Sequence, residues 1–329
     1  MMKSLIERFP QQLNEACNIG EIANLTPHNT TIRNIVVLGM GGSGFGADMV
    51  KNLTFTELQI PFEIVKGYEV PAFINENSLV IASSYSGNTE ETLFALQAIK
   101  ERNAKIICVT TGGKLKEKAM ELHYDYIEIP AGMPPRSCLG YSFVQQFYIL
   151  NYFGLIDKKW IIQVQSLASF LEQYQAEIKK EAYKIAEAMI NKFPIIYTFE
   201  GYGSIGLRWQ QQINENGKML CHNNTIPEMN HNELVAWRNN EQEKIVIFLN
   251  ADDVFYRNKK RGNINQTIIE AYCSNILHVN AKGENALQRS IYLVHFGDWV
   301  SQFVADLKQI DSYEVKVLDF LKNEMNKLA

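Results

Sequence analysis

An apolar run, Leu79-Val80-Ile81-Ala82, passes directly into Ser83-Ser84-Tyr85-Ser86-Gly87-Asn88-Thr89, and then into a helical pattern with Leu93, Leu96 and Ile99 on one face. Consecutive apolar residues bounded by turn residues indicate a strand buried on both sides, so this is the strand-to-helix turn of a parallel sheet. Three hydroxyls, Ser84, Ser86 and Thr89, share the turn with a glycine and the first free N–H groups of the helix. Neutral donors backed by the positive end of a helix dipole suit a phosphate monoester. The same residues also fit a plainer role, with Asn88 and Glu91 as an N-x-x-E capping box and the serines satisfying backbone groups.

The pattern recurs on either side. Residues 1–30 read as a short helix and a polar lead-in, and Ile35-Val36-Val37-Leu38 is a buried-strand run. It is followed by Gly39-Met40-Gly41-Gly42-Ser43-Gly44-Phe45-Gly46, with a helix expected from near Gly44. Glycine at this density lets backbone approach a ligand closely. Gly39, Gly41 and Gly44 spell the dinucleotide fingerprint G-x-G-x-x-G, but the next strand, Ile60 to Val65, ends in Lys66-Gly67-Tyr68 where a ribose-binding carboxylate belongs. Strands at Lys105–Val109 and Tyr126–Ile129 complete an alternating β/α order, which implies a doubly wound parallel sheet. Ligands bind such sheets at the carboxyl ends of the strands, so the glycine and hydroxyl turns can converge. The loop Ala131-Gly132-Met133-Pro134-Pro135-Arg136-Ser137 leaves the last strand at the same edge, and Arg136 is its cation. A lone arginine usually ends on the surface; beside an anion site it reads better as an electrophile.

From Leu150 to Lys192 the pattern turns helical, and the domain junction is expected there: residues 1–155 as the first domain, 156–190 as a helical linker, 191–329 as the second. The second part repeats the first. Pro194–Phe199 is a strand, Glu200-Gly201-Tyr202-Gly203-Ser204 its glycine turn, and Ile245–Leu249 a further strand. That strand ends in Asn250-Ala251-Asp252-Asp253, without hydroxyls, so a single phosphate site is expected, from the first domain. Between these strands lie Asn214-Glu215-Asn216-Gly217-Lys218 and Pro227-Glu228-Met229-Asn230-His231-Asn232-Glu233. Glu215 fits a general base or a solvated helix-end carboxylate, and His231 fits an acid–base partner or a solvated loop residue. Zinc is a further alternative on Cys221, His222 and His231, at a spacing that matches no usual ligand pattern.

Composition removes other classes. A net charge of −4 argues against nucleic acid, and no basic run or apolar stretch near membrane-spanning length supports a membrane role. Five scattered cysteines, odd in number and without a C-x-x-C pair, and a first segment without signal-peptide features point to reduced thiols and the cytoplasm.

Five motifs now stand in order: Gly-Met-Gly-Gly-Ser-Gly, Ser-Tyr-Ser-Gly-Asn-Thr-Glu-Glu-Thr, Pro-Pro-Arg-Ser-x-Leu-Gly-Tyr, Asn-Glu-Asn-x-Lys and Asn-His-Asn-Glu. Together they resemble the bifunctional phosphoglucose/phosphomannose isomerases, over nearly the whole chain from about residue 33. The resemblance implies two flavodoxin-like sugar isomerase (SIS) domains with flanking helices. It implies that Gly42, Ser43, Ser84, Ser86 and Thr89 bind the sugar phosphate, and that Arg136 stabilises an enediolate. It further implies that Glu215 is the base, that His231 assists ring opening, and that Lys322 completes the site. No cofactor or metal is implied. In that family the counterpart of His231 reaches the neighbouring subunit's site, which implies a homodimer with shared active sites. Family members often carry a small hydroxyl before the terminal lysine, associated with mannose substrates; Ser312 is the candidate in Asp311-Ser312-Tyr313-Glu314-Val315. A non-catalytic phosphosugar sensor and an isomerase of another phosphosugar remain as competing readings.

Overall fold

The computed structural model describes residues 1–325 and 327. In chain order it forms α1 (Met2–Glu7), α2 (Phe9–Glu21), β1 (Asn34–Leu38), α3 (Gly41–Thr54), β2 (Phe62–Val65), β3 (Ser78–Ser83) and α4 (Glu90–Ala98). Then come β4 (Lys105–Thr110), α5 (Gly113–Glu121), β5 (Asp125–Glu128), α6 (Leu139–Tyr152), α7 (Lys159–Gln165) and α8 (Leu167–Met189). The remainder is β6 (Phe193–Phe199), α9 (Gly203–Glu215), β7 (His222–Ile226), β8 (Lys244–Asn250), α10 (Tyr256–Glu270), β9 (Ile276–Asn280), α11 (Ala286–Leu307) and α12 (Lys316–Met325). The chain divides into two compact units. One holds residues 8–173 and 283–288, and the other holds residues 1–7, 174–282 and 289–329.

In the first unit the sheet order is β2-β1-β3-β4-β5, all parallel. The apolar runs make the inner strands: Val36, Leu38, Val80, Ala82, Ile106 and Cys108 are buried on the face that also packs Leu96, Ile99 and Leu115 of the crossover helices. Successive strand side chains point to opposite faces, so a run apolar at every position fits only a strand covered on both sides. Strand order reverses between β1 and β3, and their carboxyl ends form the crevice where such sheets take ligands.

The second unit has the parallel order β7-β6-β8-β9, with β6 and β8 inside. This α/β architecture of two doubly wound sheets is the expected fold. Two strands escaped sequence reading, both partly exposed edge strands: β7 (His222-Asn223-Asn224-Thr225-Ile226) is polar, and β9 (Ile276–Asn280) has its apolar residues broken by His278. The first glycine turn enters its helix at Gly41, three residues sooner than expected, because Met40 is extended and Gly41 turns the chain at φ +50°. The helical stretch begins at Leu139, earlier than the charge pattern showed, and is interrupted by Phe153–Lys158 and Ser166.

Candidate active site

Three segments of the first unit meet at the β1/β3 crevice. The end of β1 lies against the end of β3, since a Cβ on Gly39 would sit 3.1 Å from the Ser83 carbonyl oxygen. The start of α3 lies against the arginine loop, where a Cβ on Gly42 would reach within 3.4 Å of the Pro135 carbonyl oxygen. The hydroxyl turn is tied to that loop as well: the Met133 N–H donates to the Tyr85 hydroxyl at 3.2 Å. Gly42, Ser43, the Ser84–Thr89 turn and Arg136 are thus brought together.

Inside the turn, the Ser84 and Thr89 hydroxyls bond to each other at 2.8 Å. Ser86 is exposed, and its Oγ accepts from the Asn88 N–H at 3.2 Å. The capping-box alternative does not form. Thr89 is the N-cap of α4, while the Asn88 amide accepts from the Lys114 N–H and donates to the Ser86 carbonyl, both at 3.1 Å. Asn88 therefore fastens the turn to the first residues of α5. The fit there admits no side chain at Gly87: its φ is +68°, and a Cβ would lie 1.8 Å from the Gly112 carbonyl oxygen. This third glycine turn, Gly112-Gly113, escaped sequence reading because its role lies in its fit against Gly87 and Asn88, residues distant in sequence.

Arg136 lies in the short 3-10 turn Pro135–Ser137 and is only 6% exposed, so the surface alternative does not hold. A buried guanidinium is retained where its charge has a partner, and it stays protonated throughout. The loop is clamped from α2, whose Gln12 amide donates to the Ser137 carbonyl at 2.8 Å and accepts from the Gly140 N–H at 2.7 Å. No local pattern marks Gln12 for this role. The segments gathered here carry hydroxyls, two helix N-termini and the buried Arg136, groups of the kind that can hold an anion.

The second unit carries the remaining expected residues. Glu215 is the last residue of α9 and is half-buried. Its helix is pinned to α11 by the buried Arg208–Asp298 ion pair at 3.1 Å, by Gln212 donating to Asp298 at 2.8 Å, and by the Asn216 amide donating to the Ser301 hydroxyl at 3.0 Å. Lys218 places its ammonium on the Glu215 carbonyl at 2.5 Å and on the Glu314 carbonyl at 2.6 Å. This tie holds the segment that precedes α12 to the helix end that bears Glu215. Lys322 itself is exposed on α12, and the Ser312 hydroxyl is buried and donates to Gln302 at 2.9 Å.

His231 is exposed at the end of the 3-10 turn Glu228–His231. Its neighbours are anchored: Asn230 donates to Asn265 of α10 at 2.6 Å, and Glu233 receives the Tyr197 hydroxyl at 2.6 Å. Burial alone would raise the Glu233 carboxyl, but hydrogen bonds from Asn224, Tyr197 and His222 outweigh it and hold the group below the usual carboxylate range. Tyr197 and Asn224 point to one face of their sheet, whereas Thr198 and Asn223 face α9, where Gly206 and Gln210 contact them. Glu215 ends the helix on one face, and the residues flanking His231 are bonded to the other. The sheet thus lies between the helix that carries Glu215 and the bonds that hold the segment of His231.

The glycine turn of the second unit is not a cradle. The Tyr202 hydroxyl donates to Asp253 at 2.7 Å, Arg289 donates to the other Asp253 oxygen at 2.8 Å, and Asn258 donates to Glu200 at 3.1 Å. Carboxylates and their partners occupy the space that hydroxyls line in the first unit. No group of three or more His, Cys, Asp or Glu is placed to hold a metal among the described residues. Burial pushes the Cys221 thiol up to about 12.

Residues 30–134 match the SIS domain family, and residues 178–325 match the bacterial phospho-glucose isomerase C-terminal SIS domain. The chain is 36% identical to a bifunctional phosphoglucose/phosphomannose isomerase of Caldicellulosiruptor bescii, with 97% of each chain covered. This chain belongs to the bifunctional phosphoglucose/phosphomannose isomerase family. A second member, from Aquifex aeolicus, is also 36% identical, with 93% of each chain covered. The fold matches that of a putative phosphosugar isomerase from Clostridium difficile 630 at a TM-score of 0.77 and 14% identity, covering 96% of this chain and 95% of that one. Ser43, Ser84, Ser86 and Thr89 fall within the residues matched to the SIS domain, Arg136 lies just past them, and Glu215, His231 and Lys322 fall within the residues matched to the C-terminal domain.

Proposed function

We infer that the chain interconverts glucose 6-phosphate and mannose 6-phosphate with fructose 6-phosphate, by a metal-independent proton transfer through a cis-enediolate. The observation that carries this reading is the convergence of the Ser43, Ser84, Ser86 and Thr89 hydroxyls with the buried Arg136 at one crevice, in a chain of this family. The cradle takes the phosphate. Tight binding of that remote group orients the reacting carbons. In this reading Glu215 moves a proton between C2 and C1, and Arg136 offsets the charge on the enediolate oxygens. Such contributions are each worth about 10²–10⁴ in rate. His231 assists ring opening and Lys322 completes the site. The mannose activity rests on family membership, with Ser312 as the small hydroxyl before the terminal lysine.

The active enzyme is a homodimer with shared sites, a reading supported by the sheet that separates the anchors of Glu215 and His231. The five buried free cysteines support a cytoplasmic location.

The decisive experiment is Glu215→Gln, which keeps size and most hydrogen bonding and removes the base. The expected loss is in kcat, by roughly 10³-fold or more, with little change in substrate affinity. A coupled assay with all three sugar phosphates reads it. Near wild-type turnover would remove Glu215 as base. Tight phosphosugar binding without turnover in the wild type would make the chain a sensor.

A further inference from the structure

The proposed ring-opening histidine sits on a segment with little grip of its own. The His231 ring is exposed and hydrogen-bonds to no other described residue, and the residues around it form single-turn 3-10 elements rather than a helix or strand. Yet the carboxylate two residues on is among the most heavily bonded side chains of the unit. One Glu233 oxygen accepts from the Tyr197 hydroxyl at 2.6 Å. The other accepts from the Asn224 amide at 2.5 Å and from the His222 ring Nε2 at 2.9 Å. Tyr197 is held in turn by the Trp237 indole N–H at 3.1 Å, which closes the segment from its far side. The Glu233 N–H is capped by Asn232.

We propose that Glu233 is a positioning residue that fixes His231 by bolting its segment across β6 and β7. The inference rests on the ring-opening role given to His231. In that step the C1–O5 bond breaks, C1 becomes a carbonyl, and the proton of the anomeric hydroxyl passes to the ring oxygen, with nothing oxidised or reduced. A shuttle for that proton works only within hydrogen-bond reach of both oxygens, so a shift of the order of 1 Å costs about 10²-fold. A hub with three donors on two strands is a stiff way to prevent such a shift. Glutamine at this position keeps the shape, but its NH₂ faces donors and breaks the set on one side.

The test uses Glu233→Gln, the milder Tyr197→Phe, His231→Ala and the double variant Glu233→Gln/His231→Ala. The readouts are turnover of cyclic glucose 6-phosphate and binding of 5-phospho-D-arabinonate, an open-chain aldonate that needs no ring opening. Expected are a loss of about tenfold or more in kcat/KM for Glu233→Gln, a smaller loss for Tyr197→Phe, and aldonate affinity within about twofold of wild type for both. The double variant should be no slower than His231→Ala, because Glu233 acts through the ring that is gone. Losses that multiply in the double variant, or aldonate binding that falls in step with turnover, would overturn the inference. If His231→Ala turns over like wild type, the ring-opening assignment is refuted and this inference with it. If His231→Ala is slow while Glu233→Gln and Tyr197→Phe are both normal, only the role of Glu233 is refuted.

Discussion

The Gly87→Ala variant tests whether the hydroxyl turn is held in one geometry for the sake of the phosphate. A methyl at this position would start 1.8 Å from the Gly112 carbonyl oxygen, and real contacts of this kind begin at 3.0 Å. The two turns must therefore separate by at least about 1.2 Å, the difference of those distances. Gly87 also sits at φ +68°, which costs a residue with a Cβ about 1–2 kcal/mol. Both turns are backbone joined by hydrogen bonds, such as Thr111 N–H to the Tyr85 carbonyl at 3.0 Å and Leu115 N–H to the Gly87 carbonyl at 2.9 Å, so neither yields easily. Adding the clash, we expect roughly 2–4 kcal/mol of destabilisation. Displacement of Ser86 and Thr89 by about 1 Å should cost about 10² in kcat/KM for fructose 6-phosphate. The assay couples glucose 6-phosphate formation to a dehydrogenase, alongside thermal unfolding. Gly154→Ala is the control: its φ is +65°, nothing lies within 4 Å of the added methyl, and it should lose stability without losing activity. If folded Gly87→Ala enzyme showed wild-type kcat/KM, the turn would not be the phosphate cradle.

Other outcomes follow from the same geometry. Ser86→Ala with Thr89→Val should raise KM strongly in a stably folded enzyme, and unchanged saturation kinetics would remove the phosphate assignment. Arg208→Met strands Asp298 in the core and should cost about 3–5 kcal/mol in urea unfolding; a loss under 1 kcal/mol would show that water reaches the pair. Burial, with Lys179 adding to it, holds the His295 ring pKa near 3, against 6.5 for a free histidine. The unfolded chain therefore binds a proton that the folded chain does not, and stability should fall as pH drops from about 6.5 towards 3, with a slope contribution up to about 1.4 kcal/mol per pH unit. His295→Gln should flatten that limb, and an unaltered slope would place the titration elsewhere. Activity should survive exhaustive chelation, since the proton shuttle proposed for Glu215 needs no metal; loss with recovery on added zinc would contradict it.

The parts of this molecule legible in its sequence are those that local chemistry dictates. The apolar runs of β1, β3, β4, β6 and β8 admit only buried strands, and the strand-to-helix turn at Ser84–Thr89 follows from the glycine and hydroxyls that end the β3 run. What stayed hidden is long-range or negative. Gln12 reaches the arginine loop across 125 residues of chain, and its type alone gives no hint of it. Gly112-Gly113 matters for the room it leaves. The edge strand β7 follows no apolar pattern, and β9 offers only a short one broken by His278, because both are partly exposed. The capping box at Asn88 and Glu91 was a sound local reading that lost to a tertiary bond, since the Lys114 N–H claims the Asn88 amide.

The occupied glycine turn of the second unit bears on how such a duplicated chain could be re-engineered. Writing serines and threonines after β8 would not restore a twin binding site, because an incoming phosphate would meet Asp253 and Glu200 before any hydroxyl. Those carboxylates are themselves tied into a wedge: Asp253 holds Tyr202 and Arg289, and Glu200 holds Asn258. Stripping Asp253 to admit an anion would take from Arg289 and Tyr202 the carboxylate they share, so such a redesign passes through an intermediate less stable than the starting protein. A ratchet of this kind fixes the glycine turn of the second unit as an internal brace, whatever the rest of that unit does.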